Sequence, residues 1–374
     1  MIKEMTTHKG CRIIIASLFL AVLAPFRQAH GSVKYLDQPF GAVATGAIGI
    51  CSFNIQWLGH WMTKANQELA NLVKNCDVIA IQELVAPPWD VKVRGENGLP
   101  LILKGDKQSL EFVEAMKNVG LDGVMLGTDN TGPNRNHINT PAAEWPLLFY
   151  KTSRIKPNLS LPSGFIADKL AGNPVFSRVP YAFGLSTIDN NFDFVVISVH
   201  LFAYNSTQGV LYSKARRVAE FQVIAGWIEW QKDNHISNEK DYFVMGDMNL
   251  EDVEEYDGFF GDVSVNLKPF VSRIFNEQEK SHGALQKLDY KSMNSSGSRG
   301  SEHIYPTNIG LNKPFDHIMY DEINTTADMM SDLEVVDIAK FLKLSSFPTS
   351  RAFIQQYSDH NPIRMQIKIT TDKD

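Results

Sequence analysis

Cysteine is scarce: the 374-residue chain has three. No Cys/His spacing of the kind that encloses zinc occurs among them. No Gly-rich loop ending in Lys-Ser/Thr is present, which excludes a phosphate cradle of the P-loop type. No Ser or Cys sits in a nucleophile motif. No fixed-period repeat occurs, and the composition has neither the polarity of disorder nor the periodicity of a coiled coil. Basic excess is missing too. Lys and Arg total 36 against 42 Asp and Glu, a formal charge of −6. The global field of such a chain does not steer it to nucleic acid or to anionic membrane. A polyanionic substrate has to be gripped locally, with help from a divalent metal.

What the chain does have is apolar material, 44% of it. That supports one large α/β domain or two small ones. Met1–Ser32 stands apart. Lys3, Lys9 and Arg12 precede an apolar stretch from Ile13 to Phe26, and Ala29-His30-Gly31 offers small residues at signal-peptidase spacing. This describes a secretory signal peptide over residues 1–31. The stretch is short of the ~20 residues of a spanning helix, and no later segment is longer. The expectation is a secreted or periplasmic protein, monomeric and without stable membrane insertion, whose mature chain is one domain over 32–374. Cleavage removes Lys3, Lys9, Arg12, Arg27 and one acid, Glu4, taking −6 to about −9.

Asp241–Leu250 organises the rest. Tyr242–Met245 is an unbroken apolar run, suited to a strand buried on both faces. Gly246 ends it. Asp247 and Asn249 then point the same way if the chain stays extended. Alone, this fits a strand followed by an ordinary Asp/Asn-rich turn nearly as well as a pocket that gathers the two side chains. The same punctuation recurs. Ala44–Phe53 reads as a strand ending at Asn54. Cys76–Ile81 is a strand closed by Gln82 and Glu83. Phe192–Val199 is a strand ending in His200. Glu144 enters the strand that runs to Tyr150, Asp316 enters another, and Asp359-His360 lie at the entrance of the last. Lys64–Asn75, Gln108–Asn118 and Tyr212–Trp230 carry helical apolar spacing. Lys214, Arg216 and Arg217 read as a solvated face. Ala86–Gly105, Gly127–Ala143 and much of Glu251–Asn308 read as loops.

The strand–helix–strand unit sets Asn54 and Glu83 side by side on parallel strands. Cys51 lies three residues before Asn54 and Cys76 seven before Glu83, ~13 Å out of register. A bridge needs Cα atoms within ~7 Å, so Cys51 and Cys76 are expected to stay unbonded.

Five acids, two His and two Asn thus collect at strand ends. A carboxylate such as Glu83, at the end of an apolar strand, is costly to bury unless paired or metal-bound. Carboxylates with Asn suit a hard cation, Mg²⁺ first, then Mn²⁺ or Ca²⁺. Two imidazoles beside carboxylates suit proton transfer near neutral pH. Metal-assisted attack of water on a phosphoester uses both.

Seven short motifs stand in a telling order: Ser-Phe-Asn-Ile-Gln, Ile-Gln-Glu, Phe-Ser-Arg-Val-Pro, Ser-Val-His-Leu, Met-Gly-Asp-Met-Asn, Phe-Asp-His-Ile and Ser-Asp-His-Asn-Pro-Ile. In that order the chain resembles the endonuclease/exonuclease/phosphatase superfamily, in particular its deoxyribonuclease I-like branch, from about Ile48 to Ile367. The resemblance implies a four-layer α/β sandwich, two mostly antiparallel sheets flanked by helices. It implies that Glu83 binds the metal with Asn54 and Asp359 near it. Asp247 and Asn249 would position the water and the scissile phosphate. Glu144 would hold His200, and Asp316 would hold His360. Arg178 and Asn54 would meet the phosphate. The implied activity is hydrolysis of phosphodiester bonds, with DNA as the substrate.

The sequence departs from that branch in three places, one of them the loop Gly127–Ala143, which has Arg135 and Asn136 but no match for the branch's aromatic groove contact. Leu84-Val85-Ala86-Pro87-Pro88 follows Glu83, where the branch carries an arginine for the minor groove. The cysteine pairs of the secreted animal enzymes are absent. A lipid-directed phosphoesterase, a sphingomyelinase or phosphoinositide phosphatase, is the alternative on the same scaffold. Trp57, Trp61 and Trp89 are its candidate bilayer contacts.

Overall fold

The structure is a computed structural model that describes residues 33–60, 63–94, 99–127, 144–166, 176–203, 239–249, 290–294, 315–321, 328–329, 333–344 and 351–369, with single positions between 213 and 232. All belong to one compact unit, Gly31–Asp374. The signal-peptide reading, and nearly all of the loops Gly127–Ala143 and Glu251–Asn308, lie outside the described residues.

Two sheets form the frame. The first has eight strands: β1 (Val33–Leu36), β16 (Leu333–Val336), β17 (Ile363–Lys368), β2 (Ala47–Leu58), β3 (Val78–Leu84), β7 (Leu147–Tyr150) and β6 (Gly123–Leu126) in that spatial order, with β15 (Asp328–Met329) also on β17. The second has seven: β13 (Tyr290–Asn294), β14 (Asp316–Asp321), β12 (Tyr242–Asp247), β11 (Asp193–His200), β10 (Tyr181–Thr187) and β8 (Ile155–Pro157), with β9 (Gly164–Phe165) on β10. Among the described residues only β1–β16, β2–β3 and β11–β12 pair in parallel. The central strands lack polar alternation because both of their faces are covered.

Alternation sorts their side chains between layers. Ile48, Ile50, Val78 and Ala80 of the first sheet pack against Phe183, Phe194, Val196, Phe243, Met245 and Ile318 of the second. The opposite face of β2 and β3, with Cys51, Phe53, Ile79 and Ile81, packs on α1 (Asn66–Val73) and α2 (Lys107–Asn118) through Leu69, Leu72, Phe112 and Met116. Val195, Ile197, Tyr242 and Val244 turn outward to Phe221, Ile224 and Ile228, helical residues of the 213–232 stretch. Helix, sheet, sheet and helix make the four layers that the motifs implied. Two short helices, α3 (Ile338–Phe341) and α4 (Arg351–Gln356), precede β17.

Several local readings need correction. Cys51 and Cys76 are bonded, with Cα atoms 6.0 Å apart. Cys76 lies before β3 begins at Val78, so strand register does not set its position. It sits in the turn after α1, its N–H donating to the Val73 carbonyl at 2.9 Å. There the chain folds back over β2 instead of extending past it. The Pro/Gly-containing loop Ala86–Gly105 contains a hairpin, β4 (Val91–Arg94) with β5 (Pro100–Leu103), and β13 lies within the stretch read as least ordered. Arg217 is buried, not solvated, and donates to the Phe202 carbonyl at 3.2 Å.

Candidate active site

One edge of the sandwich gathers the polar strand ends. β2, β3, β11 and β12 run toward it, and β14 and β17 start from it. Parallel pairing of β11 with β12 sets His200 opposite Asp247, and antiparallel pairing of β12 with β14 sets Asp247 opposite Asp316. Gly246 makes this approach possible. Its φ is +148°, and a Cβ there would lie 1.9 Å from the Val199 carbonyl oxygen.

Asp247 is the hub. Its Oδ2 lies 3.6 Å from His200 Nε2 and 3.5 Å from His360 Nε2, and accepts from Asn54 Nδ2 at 3.0 Å. Each imidazole is held on its other nitrogen. His360 Nδ1 is 2.7 Å from Asp316 Oδ2. His200 Nδ1 is 3.1 Å from Glu144 Oε2. Arg178 Nε pairs with the second oxygen of Glu144. Thus both Nε2 atoms face one space from opposite sides, each backed by its own acid.

The electrostatics follow. Burial lowers the His360 pKa, but the charges of Asp316 and Asp247 outweigh it and raise the group well above its ordinary value. Burial and Arg178 act against His200, and Glu144 with Asp247 still raises it. Burial pushes the Glu144 carboxyl up, yet Arg178 and His200 hold it down to about 2. Glu83 goes the other way: burial raises its pKa, and the charges of Glu144 and Asp359 add to that against His200 and Asn54.

Glu83 and Trp57 share a strained corner. Gln56, Trp57 and Glu83 have φ of +51°, +50° and +63°, and pairing shifts register between Asn54 and Leu58. Asn54 faces Gln82 in the ladder, not Glu83. The left-handed turn nonetheless brings Glu83 Oε1 to Asn54 Nδ2 at 3.0 Å, while its Oε2 accepts from the Trp57 N–H at 3.1 Å.

Two side chains differ from their expected placement. Asn54 presents its amide nitrogen to both Glu83 and Asp247, while its oxygen accepts from the Gln56 N–H at 3.0 Å. In this orientation Asn54 bridges the two acids through its nitrogen, and its oxygen is engaged by the Gln56 N–H. Asn249 does not continue the strand. Its φ is +52°, its N–H caps Asp247 Oδ1 at 2.9 Å, and its Nδ2 donates to the Leu201 carbonyl at 3.1 Å. The turn anchors the loop after β11, and its side chain does not run parallel with that of Asp247.

The donor set fits a hard cation. Glu83, His200 and Asp247 each bring a ligand atom within 4.8 Å of the others. Asp359 Oδ1 is buried with no hydrogen-bond partner and lies 3.9 Å from His360 Nε2. Acids crowded into a dry edge, one of them with its pKa raised, are what a divalent ion neutralises.

Two residues of this region gave no sign in the sequence reading. Lys64 is buried and donates from Nζ to the carbonyls of Tyr357 and Ile354, at 2.7 and 3.4 Å. It pins the end of α4, from which Asp359 and His360 follow. Burial brings its pKa down to about 7, against the pull of Glu83 and Asp359. Glu220 is fully buried on the helical stretch behind Arg178. The available signal was a charged residue at a stripe position: Ser213, Arg217, Glu220, Ile224 and Ile228 recur at helical spacing and all are buried.

No family model and no curated protein matches the chain. It is similar to several solved structures. The human Nocturnin catalytic domain with bound sulfate shares 15% identity over 88% of this chain and 97% of that one, with a TM-score of 0.46. An endonuclease/exonuclease/phosphatase family protein from Bacteroides thetaiotaomicron shares 13% over 87% and 99%, TM-score 0.44. A mannosyl-6-phosphatase of the same species shares 12% over 86% and 99%, TM-score 0.44.

Proposed function

We propose that the protein is an exported, metal-dependent phosphodiesterase acting on DNA as an endonuclease. The observation that carries the reading is the pair of acid-backed imidazoles, His200 on Glu144 and His360 on Asp316, converging on Asp247. Nδ1–H donation to a carboxylate fixes each tautomer and leaves Nε2 to trade a proton. One Nε2 takes the proton of an attacking water and the other returns one to the leaving oxygen. Asp247 orients both rings, and Asn54 keeps Asp247 and Glu83 aligned. Arg178, charged and held on Glu144, offers its remaining N–H groups to a phosphate oxygen. Glu83, Asp359 and Asp247 would hold the divalent ion. When bound, that ion neutralises charge on the phosphoryl group.

The test is plasmid nicking by the mature protein with Mg²⁺, Mn²⁺, Ca²⁺ or EDTA, with His200→Ala as control. Metal-dependent nicking that the variant loses supports the reading. No cleavage of plasmid by folded, cation-binding protein sinks the DNA assignment.

A second reading, a lipid phosphoester substrate, draws on the β4–β5 hairpin. Leu101 and Ile102 are 44% and 58% exposed there, with Lys92 opposite Ile102. Trp57 and Trp89, also exposed, share the region, and the Trp57 N–H holds Glu83. Exposed aliphatic and Trp side chains beside Lys match a bilayer interface. Sedimentation with phospholipid vesicles, and release of phosphocholine from sphingomyelin, separate the two readings.

A further inference from the structure

Arg178 belongs to no strand or helix. β10 begins three residues later at Tyr181. Its guanidinium is held by Glu144, but its backbone needs its own anchor. The Ser177 N–H, immediately before it, donates to Glu220 Oε1 at 2.6 Å. The other oxygen, Glu220 Oε2, accepts from the Phe202 N–H at 2.6 Å. Phe202 stands just beyond β11, where the Leu201 N–H donates to the Asp247 carbonyl at 2.9 Å. That ladder bond already fixes His200 and its neighbours to the frame. One oxygen of Glu220 is therefore fastened to the frame and the other to the segment that lacks one. Arg217, a turn earlier, donates to the Phe202 carbonyl at 3.2 Å and reinforces the fixed side. The cations facing Glu220 are Arg216, with Nε 3.9 Å from Oε1, and Arg178 at longer range.

A carboxylate taken entirely out of water is expensive, and a neutral apolar residue would suit a helix stripe better. Glu220 accepts two short bonds there, both from main-chain donors that flank the site. We propose that Glu220 is a positioning residue for Arg178, setting the distance of its guanidinium from His200 and Asp247. Glu144 and Glu220 then grip the same two segments, Glu144 by side chains and Glu220 by backbone. Only the ionised carboxylate accepts both bonds; a protonated one serves a single N–H. Burial pushes Glu220 up to about 7, so the test is run at pH 8.5.

Glu220→Gln keeps the volume and leaves one acceptor for two donors. Two measurements decide. The first is amide hydrogen exchange, which needs no activity. Exchange at Ser177 or Phe202 is expected to speed up at least tenfold in the variant, with β11 and β12 unchanged. The second rests on the phosphodiesterase reading: kcat/KM on bis(p-nitrophenyl) phosphate in a double-mutant cycle with Arg178→Ala. Glu220→Gln is expected to cost at least tenfold alone and under twofold in the Arg178→Ala background, because it acts through that side chain. A full tenfold cost in both backgrounds, or unchanged exchange at both amides, overturns the proposal. Wild-type protein inert toward every phosphoester would instead defeat the phosphodiesterase reading, and exchange would still decide the tether. If Glu220→Gln does not fold, Glu220→Asp keeps the charge on a side chain too short to span both donors, and the same outcomes apply.

Discussion

His200, His360 and Asp247 occupy one knot, so on the proposed mechanism each substitution there removes a proton carrier or the acid that aligns both. His200→Ala, His360→Ala and Asp247→Ala are each expected to lower kcat by roughly 10²–10⁴-fold, with native-like circular dichroism for the two histidine variants and lowered urea midpoints, because each leaves a buried carboxylate without its imidazole. Near-normal turnover in all three purified variants would remove the site from consideration. Glu144 makes a separate, pH-dependent prediction. Its folded pKa of about 2 lies below the ordinary 4.5. A depressed carboxyl contributes stability that is complete above pH 4.5 and is lost as pH falls toward 2. The shift corresponds to on the order of 3 kcal/mol at neutral pH. Glu144→Gln should lower the urea midpoint at pH 7 and flatten its fall between pH 4.5 and 2. A variant with the same acid slope as wild type would show that Glu144 does not carry it.

At the scale of elements, the site depends on how closely β11 and β12 approach at their ends. Gly246 is where a side chain is forbidden, since a Cβ would collide with the backbone oxygen of Val199 and not with a movable side-chain tip. Gly246→Ala should therefore cost about 3 kcal/mol or more, read from urea unfolding, and should also displace Asp247. A well-folded variant of unchanged stability would mean that the strands part at little cost. α1 and β3 are joined in another way. The Cys51–Cys76 bond closes a separation of 25 residues. By loop-closure entropy its reduction, or Cys51→Ala with Cys76→Ala, is expected to cost about 3 kcal/mol. A thiol titration of the unfolded protein without reductant reveals the bond directly, and two free thiols from the mature chain would refute it.

At the scale of the whole molecule, the two sheets meet mainly through apolar side chains, and polar contacts cross between them near the site. Asn54 reaches Asp247 across the sandwich, and Gln82 Nε2 donates to Ser198 Oγ at 3.4 Å while Gln82 Oε1 accepts from Ser52 Oγ at 3.0 Å. These contacts set the spacing of the two halves at the candidate site. Among the described residues no helix is long and apolar enough to cross a membrane.

The order of apolar runs and their polar ends was readable in the chain because a strand covered on both faces must be continuously apolar until it reaches solvent or a site. That pattern determined the central strands, the buried face of α1, most of that of α2, and the edge holding Asn54, Glu83, Glu144, His200, Asp247, Asp316 and His360. Tertiary structure decided the rest, because it depends on turns and on partners distant in sequence. The left-handed φ of Asn249 turned an expected site residue onto Leu201, and the turn at Cys76 closed a disulfide that straight-strand arithmetic forbade. Lys64 and Glu220 look like surface charges in one dimension. Only the packing of α4 and of the helical stretch buries them where backbone groups of the site need a donor and an acceptor.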